Sequence, residues 1–155
     1  MRRRALLASA AAFSTVPLAG CPTPPWSDDP TTIEGAEVTF RRAYDGDLDV
    51  TEGGGNDVAE VRRRLDEDPP RLVVAGSLLD GPTRCYRVSL FEVALDDATL
   101  RLRIRSEDDP DSDADVCSDV AEPHPYAVAV AFTEAPIPDR VAVQHGDETV
   151  LEESV

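Results

Sequence analysis

The chain has 155 residues, 41% of them hydrophobic and 30% charged, the make-up of one ordinary globular domain with a modest core. That balance argues against wholesale disorder and against two well-formed domains. Asp and Glu number 31 against 15 basic residues, all Arg, for a formal charge of −16, and so acidic a surface excludes direct nucleic-acid binding, which needs basic contacts to phosphate.

The first twenty residues read as an export signal. Met1-Arg2-Arg3-Arg4 is a positive head, Ala5 to Phe13 a mild apolar run, and small residues lead into Cys21. Leu18-Ala19-Gly20-Cys21 reads as a lipobox, where the signal is cut and a lipid is placed on Cys21. Paired arginines before an alanine-rich run resemble a twin-arginine signal, which exports folded proteins, with the general secretory route as the alternative. The segment between Arg4 and Cys21 contains Ser9, Ser14, Thr15 and Pro17 and is shorter than the ~20 apolar residues of a spanning helix. Stable anchoring then needs a second acyl chain or a diether-type lipid on Cys21.

Residues 21–34 form a proline-rich tether, semi-rigid and extended, carrying Trp26, the sole tryptophan. Residues 35–155 make a single domain. Losing Arg2, Arg3 and Arg4 with the signal removes three positive charges and takes the chain from −16 to −19. Repulsion of that size is screened within a few ångströms near molar salt, so the acidity reads as the surface chemistry of a salt-loving organism.

From Ala36 the pattern is that of strands: Ala36, Val38 and Phe40 alternate with Glu37, Thr39 and Arg41. Turn signals follow at 45–47 and 53–57. Asp57 with Glu60 resembles a capping pair, and Val58, Val61 and Leu65 are spaced as on a helix. A short helix is therefore expected over 58–65, with a strand as the alternative. Arg71 to Leu79 is almost continuously apolar, which suits a central strand. Cys85 to Leu95 is a longer strand, and Leu100 to Arg105 shows the cleanest alternation. Tyr126, Val128, Val130 and Phe132 alternate with alanines, and Val141 to Val143 leads through His145-Gly146-Asp147-Glu148 into a last strand near Val150. Six to seven short strands joined by turns argue a mainly β fold, a small antiparallel sandwich or barrel.

Cys85 and Cys117 remain once Cys21 takes the lipid, and outside the cell they are expected to pair. With 31 residues between them, such a bridge is worth roughly 3–4 kcal/mol in the chain-entropy model. Their spacing is not that of a redox pair, and zinc would need both His124 and His145 as well. In the acidic loop, Asp111, Asp113, Asp115, Asp119 and Glu122 fall on calcium-loop positions 1, 3, 5, 9 and 12. Position 6 demands glycine and is Val116, so a solvated loop is expected rather than a metal site. Arg101, Arg103 and Arg105 share one strand face. They form either an anion-binding stripe or, as base rates favour, ion pairs with carboxylates on neighbouring strands. No nucleophile elbow, phosphate loop or metalloprotease motif occurs, and His124 and His145 read as structural or surface residues.

The segment Gly76 to Arg105, with Cys117, the Tyr126–Phe132 strand and the lipobox, resembles the small secreted lipoproteins of haloarchaea. In these a lipobox, a polar tether and a two-cysteine β-domain recur. The resemblance implies location and fold and carries over no functional residues. Together these features lead to the expectation of a lipid-anchored extracytoplasmic domain. It would hold no cofactor, attach to the membrane through Cys21, and bind another envelope component. An accessory protein for a solute or a divalent cation is the alternative, and an envelope hydrolase a third reading.

Overall fold

A computed structural model describes residues 32–43 and 57–155. The signal, Cys21, Trp26 and the turns expected at 45–47 and 53–56 lie outside them. Eight strands run in order: β1 (Ala36–Arg42), β2 (Val58–Arg64), β3 (Arg71–Asp80), β4 (Tyr86–Asp96), β5 (Thr99–Asp108), β6 (Glu122–Phe132), β7 (Arg140–His145) and β8 (Glu148–Ser154). They build a sandwich of two four-stranded sheets, β1-β6-β3-β2 and β4-β5-β7-β8.

The alternation of the sequence decides which side of each strand is buried. Leu72 and Val74 of β3 with Tyr126, Val128 and Val130 of β6 face Leu100, Leu102 and Ile104 of β5 and Val141 and Val143 of β7. All are at most 1% exposed, so these four central strands hold the core. Fully burying each such side chain is worth about 1.5–3 kcal/mol.

The segment expected to be a helix over 58–65 is strand β2. It pairs antiparallel with β3 from Val58 opposite Ser77 to Arg64 opposite Arg71. A helix of eight residues is marginal alone, whereas the strand covers an otherwise open edge of β3 and lays Ala59 and Val61 on the core. Helical spacing and a two-residue period coincide over so short a stretch, and the tertiary partner decides. Leu65, the third residue of the apparent helical stripe, is left outside the strand and exposed.

Two further details were not visible in the pattern. In β4 the register shifts between Leu90 and Glu92, so Phe91 is the extra residue of a bulge and turns outward. Val93, three positions after Leu90, thereby returns to the core. Strands β5 and β7 pair in parallel while every other neighbouring pair is antiparallel. The chain leaves β5 for β6 in the opposite sheet and comes back as β7, which restores its direction.

Arginines tie the sheets where their edge strands meet. Arg42 Nε, at the end of β1, donates to the Val88 carbonyl of β4 at 2.7 Å. Arg63 Nη2 of β2 donates to Glu153 at 2.8 Å and to the Ser154 carbonyl at 2.5 Å, both in β8. The chain enters the sandwich at Ile33, which is buried in the core cluster. Gly35, at φ +76°, lets its carbonyl accept from the backbone N–H groups of Thr133, Glu134 and Ala135 at 2.8–3.0 Å. A Cβ at Gly35 would stand 2.6 Å from Ala135 N, so this clasp needs glycine. It fixes the incoming chain at the end of the sandwich opposite the Cys85 and Cys117 loops.

Candidate functional site

Polar groups concentrate in three places, and their hydrogen bonds set them apart. At one end of the sandwich a chain of bonds runs between the sheets. Tyr126 of β6 is fully buried, and its hydroxyl lies 2.8 Å from His145 Nε2 of β7. His145 Nδ1 lies 3.2 Å from Asp57 Oδ1, which also accepts the Leu79 N–H at 2.9 Å. A carboxylate can only accept, so Nδ1 carries the proton, and the neutral ring's Nε2 accepts from the tyrosine. Burial lowers the pKa of His145 below its ordinary value, against the opposing pull of Asp57 and Glu148. Burial likewise raises that of Tyr126. Gly76 of β3 makes the room, since a Cβ there would lie 2.4 Å from the tyrosine oxygen.

Ser106, His145 and Asp57 line one groove of about 330 Å³, the residue types of a hydrolytic triad. Their bonding denies that use. Both ring nitrogens are spent, one on Asp57 and one on a tyrosine with no exposure, and Ser106 Oγ has no hydrogen-bond partner among the described residues. A serine with no base beside it is not activated. His124 is also buried, with Nε2 donating to the Gly81 carbonyl at 2.7 Å. Both histidines act as internal joints. His145 continues the inward face of Val141 and Val143 on β7, and no local pattern marks Asp57 or Tyr126 as its partners.

The second place is the acidic loop. Cys85 and Cys117 form a disulfide with Cα atoms 6.1 Å apart. Arg84 Nη2 donates to the Val116 carbonyl at 3.1 Å and Ser112 Oγ to the Arg84 carbonyl at 2.6 Å, so the loop is pinned along its length. Asp111, Asp113, Asp115 and Asp119 are exposed. Glu122 turns away, accepting the N–H and hydroxyl of Thr83 at 2.8 Å each, and these bonds lower its pKa. Among the described residues no group of three His, Cys, Asp or Glu side chains is placed to hold a metal ion. The five carboxylates matching a calcium loop in sequence are therefore not brought together.

The third place is the outer face of the β4-β5-β7-β8 sheet, where the arginine row of β5 lies. Arg105 pairs with Glu107 at 3.7 Å, on its own strand rather than a neighbouring one, and its guanidinium sits 4.0 Å from the Phe91 ring centre. The bulge that turns Phe91 outward supplies that platform. Arg103 Nε donates to the neutral amide of Gln144 at 3.2 Å and reaches no carboxylate among the described residues. Arg101 is exposed and makes no hydrogen bond or ion pair among the described residues. Ion pairing with neighbouring strands, the outcome that base rates favoured, is thus absent at Arg101 and Arg103 among the described residues. Elsewhere arginines do find acids: Arg62 meets Glu60, Arg63 meets Glu153, Arg87 meets Glu107, and Arg140 meets Glu152.

These two arginines border a groove of about 400 Å³, within the usual size of small-ligand sites. Register explains it. Arg101 stands beside Ala142 and Arg103 beside Gln144 across the parallel pair, while Ala142 faces Glu152 and Gln144 faces Thr149 on β8. A single small side chain at the centre of four long ones leaves a trough with Ala142 as its floor. Thr99 and Arg140 close one end, and Glu92 stands at the rim on the β4 side.

The chain matches no protein-family model, no curated protein and no solved structure.

Proposed function

We propose that this chain is a lipid-anchored domain on the outer face of the cell membrane that works by binding rather than catalysis, using the Arg101–Arg103 groove as its contact surface. One observation carries the reading. In a chain with twice as many acids as bases, two arginines on an open sheet face meet no carboxylate among the described residues. Unpaired cations amid surplus anions are what a site for an anionic ligand needs. The lipobox at Cys21 supports the location, and the disulfide suits an oxidising compartment. The carboxylate surplus would keep the domain soluble in concentrated salt.

The intact mass of the protein taken from membranes, with and without reductant, tests location. A lipid on Cys21 and a gain of two protons on reduction are expected, and an unlipidated full-length chain with free thiols overturns the anchored reading. A photo-reactive residue at Thr149 tests the surface. A specific envelope adduct that vanishes in Arg101→Ala supports it, and labelling that ignores the substitution sinks it.

A further inference from the structure

The polar character of the groove says more than that it binds anions. We infer that it recognises an acidic sugar: a single carboxylate, sulfate or phosphate group on an otherwise neutral, hydroxylated ring. The inference rests on the groove being a binding surface, as proposed above, and adds the class of ligand.

Arg101 and Arg103 are two positions apart on β5, so their Cα atoms are about 7 Å apart on one face. Arg101 keeps its whole guanidinium fork, and Arg103 keeps its two terminal nitrogens, since only Nε is used by Gln144. Guanidinium forks match the geometry of an oxyanion bidentately. One oxyanion held between them accounts for the charged part of the ligand.

The remainder of the lining limits what that oxyanion can be attached to. Glu92 and Glu152 stand on the rim. A polyanion, a dicarboxylate or a nucleic acid would bring a second anionic group against Glu92, whose charge is not met by Arg140, and that repulsion selects for one anionic group only. To a hydroxylated ring the same carboxylates are acceptors, and the hydroxyls of Thr99 and Thr149 can donate, while the Gln144 amide is bonded to Arg103 and Thr149. The floor is a single methyl group, Ala142, which leaves room for a ring but offers little to an apolar body. Glu152 already answers the charge of Arg140, so Arg140 closes the groove without competing for the oxyanion.

Calorimetry in molar potassium chloride, with the purified disulfide-bonded domain, tests this with glucuronate, glucose 6-sulfate, glucose 6-phosphate, glucose and inorganic sulfate. Saturable heat from at least one charged sugar, and none from glucose, is expected, with the tightest identifying the oxyanion. Arg101→Ala and Arg103→Ala should each weaken binding about tenfold or more, the loss of charged hydrogen bonds. Arg101→Lys, which keeps charge but not the fork, should also weaken it. Ala142→Leu fills the floor with both arginines intact and should abolish binding. Three results overturn the inference: no heat from any charged sugar, heat unchanged in Arg101→Ala and Ala142→Leu, or inorganic sulfate binding as tightly as the sugars. If a Thr149 adduct forms while the sugars fail, the surface stands and only the ligand class falls.

Discussion

The Tyr126–His145–Asp57 end and the Arg101–Arg103 groove are both polar, and they obey opposite rules. At the buried end the three side chains are joined in one chain of bonds across the sheets. In the groove, two cations with acid nearby form no ion pair among the described residues. The difference follows from where each lies. An unmet polar group inside the sandwich costs about 1–3 kcal/mol, so the interior favours bonded groups, with the small hydroxyls of Ser77 and Ser106 as exceptions among the described residues. On the surface, water satisfies a guanidinium at little cost, and an unpaired arginine can persist for a ligand. A site that holds the residue types of a hydrolytic triad is thus structural, and one without them is the candidate for function.

The sharpest way to break the buried end is Gly76→Ala. The new Cβ would lie 2.4 Å from the Tyr126 oxygen and 2.7 Å from the Val58 carbonyl. Backbone on one side cannot yield, so the tyrosine must move and its bond to His145 is lost. Overpacking and an orphaned imidazole together should cost roughly 3 kcal/mol or more in urea unfolding, and a loss under about 1 kcal/mol would show that the network is not rigid.

Tyr126→Phe removes only the hydroxyl and should cost about 1–3 kcal/mol, because Nε2 is then buried without a donor. Acid provides a test without mutation. The pKa of His145 is lowered on folding, so the unfolded chain takes up the proton first as pH falls. Its contribution to stability is complete above about pH 6.5, the ordinary histidine value, and is lost on acidification below it. In unfolding measured against pH, that part of the slope should vanish in His145→Gln. An unchanged slope would assign the acid sensitivity to other groups.

Much of the sandwich was legible in the sequence because strands buried on one face alternate. β1 shows this, as does β5, where Leu100, Leu102 and Ile104 point inward and the arginines outward. Legibility failed where a partner decides the outcome. Val58–Arg64 carries a helical spacing, and only the open edge of β3 makes it a strand. The three-residue step from Leu90 to Val93 is the one trace of the bulge, and an extra residue in β4 is seen only against β5. The candidate site was half legible: the arginine row could be read, but not that Arg101 would stand between Ala94 and Ala142, nor that Arg103 would bond Gln144 rather than Glu92 opposite it. Ion pairing depends on which residues stand beside each arginine across β4 and β7, and no local pattern encodes that.

Stability and binding should also separate at the β4–β5 turn, near the closed end of the groove. Asp97 and Ala98 have φ of 46° and 59°, the left-handed pair that a two-residue hairpin turn requires and that glycine adopts freely. Ala98→Gly relieves the Cβ clash and should stabilise the domain by about 0.5–1 kcal/mol, part of the gain being offset by a more flexible unfolded chain. Ligand affinity should not change, and a gain in stability that also altered binding would mean the arginines are positioned through the turn.

The smallest expected effect is the most telling. Arg101→Ala removes a side chain with no partner among the described residues, so unfolding free energy should change by no more than about 0.5 kcal/mol. Arg140→Ala provides the control on the same face, since it breaks an exposed pair with Glu152 worth about 0–1 kcal/mol. If Arg101 were structural, its loss would cost at least as much as that of Arg140, and the groove would be a solvated face like any other. If stability holds while the Thr149 adduct disappears, the residue is retained for what it meets outside the fold. An arginine left unpaired in a chain this acidic then marks the contact surface, because neutralising it would need only one of the carboxylates the sequence already has in excess.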